Sequence, residues 1–265
     1  MKSEAGWLNP KPKVVKMQKQ QFYRHKNIFT NIVCDIDFIS EEMRALLSDP
    51  EDYIRRSSAK IIQNNFKNKI VYLEIEKVPA VIKIHNYKST WHKIKRYFRR
   101  TRASRSWHYS FLFNENGILT PKPIAYKETR IGPLRGDSYF LYEWVDGING
   151  EQYFTNNQKN AEKIQKAINA IVEITQNIKN LGLIHGDIRL KNMVFSEDEI
   201  FLTDFDDTKK RKWYKPDIVN NRDFRGLIED IYYNVPSEIQ QLFLSRLELL
   251  GDDIKRLVKS YRHNP

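Results

Sequence analysis

Gly182 ends one long amphipathic helix and opens a polar loop, and that junction limits the folds available to this 265-residue chain. Over residues 158–181 the apolar positions Ile164, Ala167, Ile168, Ile171, Val172, Thr175 and Ile178 recur at the spacing of a helix buried along one face. Gly182 stands where a left-handed residue closes such a helix. The chain then reads LIHGDIRLKNMV, with His185, Asp187, Arg189, Lys191 and Asn192 between Leu183-Ile184 and Met193-Val194-Phe195. A solvated loop can be this polar, but it rarely lies between two apolar clamps. The pattern predicts a loop held at both ends.

The first half of the chain has a different texture. Ile70–Ile75 and Ala80–Ile84 are β-rich runs separated by Glu-Lys-Val-Pro, which predicts antiparallel strands joined by a turn. Residues 89–117 are helical in spacing and strongly basic, and Gly117 is placed to end them. PKPIAY and residues 138–145 read as further strands, divided by IGPLRGD. After Gly150 the chain turns helical, apart from a short strand at Ile200–Thr203. The expected architecture is therefore α+β and bilobal. Residues 1–57 form an arm and extension of uncertain role, 58–145 a β-rich N-lobe with one basic helix, and 146–265 a mainly helical C-lobe. The hinge falls near 143–150.

Bulk properties narrow the setting. Cys34 is the single cysteine, so no intramolecular disulfide can form and a reducing, cytoplasmic location is expected. No apolar run approaches the roughly 18–20 residues that span a bilayer. The N-terminus lacks the apolar core of a secretory signal. The net charge of +12 implies a negatively charged partner, whether nucleic acid, an anionic membrane surface or a charged substrate.

Chemistry emerges when separated pieces are read together. Asp187 is followed five residues later by Asn192; Asp204 ends a strand; Lys83 lies near the end of Ala80–Ile84. Phosphoryl transfer from ATP needs this set: a lysine on the phosphates, an Asp and an Asn on Mg²⁺, and an Asp to accept the proton of the attacking hydroxyl. The order and spacing match a protein-kinase-like layout. Arg189 and Lys191 can both reach the transferring phosphate and offset charge developing there. His185 reads as a packing residue of the loop. Asp206 and Asp207 read as a solvated turn, with metal assistance as the other possibility. Asp223 either supports the loop backbone from below or lies on the surface. Gly186 carries no charge where many protein kinases have Arg, only 18 residues separate Asp204 from Asp223, and no A-P-E segment follows. A small-molecule or sugar acceptor is expected rather than a protein.

The stretch from Thr90 to Gly147 resembles the lipopolysaccharide core kinase (Kdo/heptose, WaaP-like) family. The resemblance rests on a basic helix running into GILTPKP, then GPLRG, then EWVDG, with HGDIRLKN and FLTDFDD later; it covers roughly residues 60–230. It implies a kinase-like fold, ATP with Mg²⁺, and a lipopolysaccharide core sugar as acceptor. It also implies Lys83 as the ATP-phosphate lysine, Asp187 as base, Asn192 and Asp204 as metal ligands, and Glu143, Trp144 and Val145 as the hinge meeting adenine. The basic charge then suits a phosphate-rich, lipid A-anchored glycolipid. The segment Trp91–Arg105, with Lys93, Lys95, Arg96, Arg99, Arg100, Arg102 and Arg105 around Trp91, Tyr97 and Phe98, would face the anionic cytoplasmic side of the inner membrane.

Two departures keep rivals open. The segment Asn64–Lys69, expected to cover the phosphates, contains no glycine, and no Asp or Glu lies between Glu76 and Glu115 to partner Lys83. A catalytically silent kinase-like module binding anionic glycolipid is one alternative. Another is an aminoglycoside- or choline-type phosphotransferase, although a cationic substrate suits an acidic cleft better. Nucleic-acid binding rests on charge alone.

Overall fold

The computed structural model describes residues 21–65, 68–85, 100–212 and 221–263. The N-terminal arm (1–20) and most of the basic segment, including Trp91, Lys93, Lys95, Arg96, Tyr97, Phe98 and Arg99, lie outside the described residues.

The chain opens with strands β1 (Phe22–Lys26) and β2 (Thr30–Asp35), helices α1 (Glu41–Ser48) and α2 (Pro50–Arg56), then strands β3 (Lys60–Asn64), β4 (Asn68–Ile75) and β5 (Val78–His85). Helix α3 (Arg102–Glu115) leads into β6 (Pro123–Ile131) and β7 (Leu134–Glu143). These strands form one antiparallel sheet of seven in the order β1-β2-β6-β7-β5-β4-β3. The sheet thus starts at Phe22, upstream of the boundary expected at residue 58. β2 joins it through long-range pairs such as Val33 with Tyr126. Of the segment IGPLRGD, the central Gly132-Pro133 pair forms the turn, since Ile131 already pairs with Leu134. The β4–β5 turn is Glu76-Lys77, both at positive φ, as a two-residue hairpin of this twist requires. The Glu42 carboxylate accepts from the Glu76 N–H at 2.8 Å and fastens that turn to α1.

Alternation along β5 and β7 explains how the sheet is covered. Ile82, Ile84 and Leu141 point to the face where Met43, Leu46 and Ile54 of α1 and α2 complete a core. Lys83 and Phe140, paired across the strands, point to the opposite face. There α3 lays Ala103 and Trp107 against Val33 and Phe140. The Thr101 hydroxyl caps α3 by accepting from the Ser104 N–H at 3.1 Å. Gly117, at φ +76°, lets the chain leave the helix.

The second lobe contains β8 (Ile148–Asn149), α4 (Gly150–Asn156), α5 (Ala161–Asn180), β9 (Leu183–Ile184), β10 (Met193–Ser196), β11 (Glu199–Leu202), β12 (Lys209–Lys210), α6 (Arg222–Asn234), α7 (Ser237–Glu248) and α8 (Asp252–His263). All seven apolar-face positions expected for residues 158–181 are buried in α5, and Gly182 follows at φ +67°. Phe113, near the C-terminal end of α3, and Ile118, just beyond it, belong to this lobe's core together with Phe205, Leu227 and Phe243. α3 therefore ties the two lobes together, and the cleft lies beside it.

Candidate active site

Short ladders hold the polar loop from both sides. Leu183–Ile184 pairs with Lys209–Lys210, and Met193–Ser196 pairs with Glu199–Leu202 and with β8. The apolar clamps in the sequence are these buried strand residues. Thr203 then ties the next segment to the loop, because its N–H and its hydroxyl both donate to the Asn192 carbonyl, each at 2.9 Å.

Buried carboxylates of α6 hold the loop from beneath. Asp223 accepts from the His185 and Gly186 N–H groups, each at 2.7 Å, and Asp230 accepts from the Leu190 N–H at 2.6 Å. Asp230 escaped sequence reading: it lies in an ordinary amphipathic helix and is distinguished only by burial. His185 is buried and its ring meets the Thr203 carbonyl at 3.1 Å. Burial outweighs the nearby Asp223 and Asp204 carboxylates and lowers the pKa of this ring below the ordinary imidazole value. It packs against Phe205, as Phe113 of α3 does.

Gly186 has a steric reason to be glycine. It sits at φ +95°, and a Cβ there would meet Asp207 Cβ and the Asp207 carbonyl oxygen at 2.9 Å. An arginine at this position would strike backbone whatever its charge did. Gly186→Ala is expected to cost about 1–3 kcal/mol of stability through strain alone and to displace Asp187. A thermal melt and an initial-rate assay check both effects.

Asp187 lies at the mouth of the loop. Its Oδ1 accepts from Arg189 Nε at 3.1 Å and its Oδ2 from Asn192 Nδ2 at 3.0 Å. Asn192 Nδ2 also donates to the Asp187 carbonyl at 2.9 Å, which commits its amide nitrogen and leaves the amide oxygen as its donor atom for a cation. Asp204 adopts a left-handed backbone, φ 65° and ψ 64°, a strained conformation for a non-glycine residue. Its Oδ1 accepts from Lys83 Nζ at 2.7 Å.

The missing partner of Lys83 comes from this same turn. Asp206 Oδ2 lies 3.2 Å from Lys83 Nζ, so two carboxylates flank the ammonium. Asp206 is buried, not part of a solvated turn. Burial opposes the Lys83 charge, but Asp206 and Asp204 more than offset it and hold its pKa above the ordinary lysine value. Tyr142 forms the adjacent wall. Its burial raises the phenol pKa to about 12, against the pull of Lys83.

These residues surround a cleft of about 460 Å³ lined by Lys83, Asp187, Lys191, Asn192 and Asp204. Ile70, Phe140 and Tyr142 form its apolar wall, while Gln63, Asn65 and Asn68 line it in the place of a glycine-rich cover. Amide side chains occupy the space that glycine would leave open to backbone. Part of that turn, residues 66–67, lies outside the described residues. Of the sequence-predicted set, Arg189, Glu143, Trp144 and Val145 do not line this cleft. Arg189 turns toward Asp187 and the acidic face of α6, reaching Glu229 and Asp230 at 3.9 Å. The Glu143 and Trp144 N–H groups bond the Lys122 and Pro79 carbonyls within the sheet, and the Trp144 ring packs edge-on against Tyr72.

The residues fit a magnesium nucleotide. Mg²⁺ favours oxygen ligands, taken from one or two protein groups with the remainder from phosphate and water. Asn192 and Asp204, which both line the cleft, could supply such a pair. Among the described residues no cluster of three or more Asp, Glu, His or Cys side chains forms a self-sufficient metal cage.

The sequence model of the lipopolysaccharide kinase (Kdo/WaaP) family matches residues 55–261. Among solved structures, the chain is similar to WaaP in complex with acyl carrier protein. They share 16% identity over 84% of this chain and 97% of that one, with a TM-score of 0.56. It is also similar to a double mutant of the Mycobacterium tuberculosis PknI kinase domain, at 17% identity over 75% of this chain and 85% of that one, with a TM-score of 0.50. No curated protein matches the chain. The fold is thus the α+β, bilobal, protein-kinase-like one.

Proposed function

Because the chain belongs to the lipopolysaccharide kinase (Kdo/WaaP) family, we propose that it transfers the γ-phosphate of ATP, with Mg²⁺, to a Kdo or heptose hydroxyl of the lipopolysaccharide core. The observation that carries this reading is the convergence of Lys83, Asp187, Lys191, Asn192 and Asp204 on one cleft, although they come from both lobes.

Bound Mg-ATP supplies the phosphoryl group and the cation that neutralises it. Asn192, through its amide oxygen, and Asp204 hold the metal. Lys83 has three N–H donors, so its two carboxylates leave one to hold phosphate oxygen. Asp187 accepts the proton of the attacking sugar hydroxyl at its carboxylate. Arg189 sets the orientation of that carboxylate, while Lys191 stands in the cleft where negative charge develops. The apolar wall of Ile70, Phe140 and Tyr142 is assigned to the adenine ring, whereas the Glu143 and Trp144 N–H groups are already committed to the Lys122 and Pro79 carbonyls.

Charge supports the acceptor class. A net charge of +12 favours a phosphorylated, acidic oligosaccharide and a peripheral position at the anionic cytoplasmic face of the inner membrane. Among the described residues no helix is long and apolar enough to cross a membrane. Arg102 and Arg105 are half-buried, and Arg102 reaches Asn68 at 3.3 Å.

Mass spectrometry of core oligosaccharide, after the protein is incubated with Mg-ATP and dephosphorylated lipopolysaccharide, tests the proposal. A gain of one phosphate is expected, with loss of the product when EDTA replaces the metal; fragmentation then names the sugar. An unchanged oligosaccharide mass beside active ATP binding would reject the acceptor.

A further inference from the structure

We propose that Asp206 is the positioning residue for Lys83, taking over from the turn after β11 the task that protein kinases give to a glutamate on the N-lobe helix. Ser106 of α3 is tied to the same carboxylate as an uncharged hydrogen-bond donor. This rests on the reading of Lys83 as the phosphate-binding lysine.

The helix itself brings no acid to the site. No Asp or Glu occurs between Glu76 and Glu115, and Glu115 is exposed at the far end of α3. Facing Lys83 instead is Ser106, buried one turn into the helix, whose hydroxyl donates to Asp206 Oδ1 at 3.0 Å. The other oxygen of Asp206, Oδ2, contacts Lys83 at 3.2 Å. His85 closes a third side, with Nε2 3.5 Å from Asp206 Oδ1.

Both Asp206 oxygens are therefore engaged by protein, the residue is 7% exposed, and it is absent from the cleft lining that includes Asp204. This geometry separates the two acids. Asp204 faces the cleft, where a cation can share it. Asp206 is walled in by Lys83, Ser106 and His85 and is suited to hold Lys83 in place. In an ordinary kinase, rotating the helix breaks the lysine–glutamate pair. Here the charge pair lies between β5 and the β11 turn, and the helix contributes only a neutral donor. Movement of α3 is thereby uncoupled from the charge state around Lys83.

Relocating the charge tests this. Asp206→Asn keeps the shape and should weaken equilibrium binding of ATP about tenfold or more, through loss of a charge-assisted contact, with a matching rise in KM. Adding Ser106→Glu to Asp206→Asn restores the helix-borne arrangement and should recover most of that affinity, which a merely structural role for Asp206 would not allow. Ser106→Ala should speed amide exchange over residues 102–115 and cost less ATP affinity than Lys83→Met, a comparison that stands if Asp206→Asn does not fold. Lys83→Met is the control. Wild-type ATP affinity in folded Asp206→Asn, or failure of the folded double variant to improve on it, overturns the proposal while Lys83→Met still loses binding. If Lys83→Met also binds ATP normally, the reading of Lys83 falls with it.

Discussion

Changing Asp187 to Asn is expected to lower the turnover of phosphoryl transfer by about 10²–10⁴-fold, the usual contribution of a positioned general base. The two side chains have the same shape, so the loss is chemical. An amide cannot take the proton of the sugar hydroxyl, and its NH₂ group must face either Arg189 Nε or Asn192 Nδ2, both of which now donate to Asp187 at 3.1 and 3.0 Å. Asn192 keeps its second contact, the Asp187 carbonyl at 2.9 Å, so the metal-side geometry should survive. The expected signature is a large fall in kcat with ATP affinity near that of the wild type. Single-turnover kinetics alongside nucleotide binding separates the two quantities. A wild-type rate in Asp187→Asn would place the base elsewhere.

The parts of this fold that were legible in the sequence are those with local periodicity. The face of α5 was readable because seven apolar positions follow one helical stripe to a glycine stop. The β4–β5 hairpin was readable from two β-branched runs. Lys83, Asp187, Asn192 and Asp204 could be grouped because kinase chemistry fixes their order, and the structure brings them to one cleft.

What stayed hidden depends on distance. β1 and β2 carry half-exposed, mixed patterns that do not read as core strands; only pairing with β6 makes them part of the sheet. Asp206 looked like a solvated acid because it sits in an acidic run, yet its neighbours in space, Lys83, His85 and Ser106, come from β5 and α3. Gly186 was noticed for its missing charge, whereas its backbone angle and the nearby Asp207 explain it. Asp230 carries no signal beyond being an acid in a helix. Arg189 was expected to point at substrate, but the acidic face of α6 lies within its reach and competes for it.

Asp223→Ala is the substitution with the largest expected effect on stability. Asp223 is 6% exposed, and both of its oxygens are committed to backbone N–H groups at 2.7 Å. The contacts are charge-assisted, and removing the carboxylate leaves the His185 and Gly186 N–H groups buried without an acceptor. Hydrogen bonds to charged groups contribute about 1.5–3 kcal/mol each, so losing both removes roughly 3–6 kcal/mol from a total of about 5–15 kcal/mol. For a domain of this size, at about 2–4 °C per kcal/mol, the melting temperature should fall by roughly 6–24 °C. Asp223→Asn should recover part of the loss, because one oxygen remains to accept while the amide NH₂ opposes the other N–H. The same change acts on function. With its anchor gone, the His185–Gly186 backbone no longer fixes Asp187, so activity should drop at temperatures where the variant is still folded. Thermal melts of both variants, paired with rates measured well below each transition, provide the check. A melting temperature unchanged in Asp223→Ala would show that water reaches the loop and replaces the carboxylate.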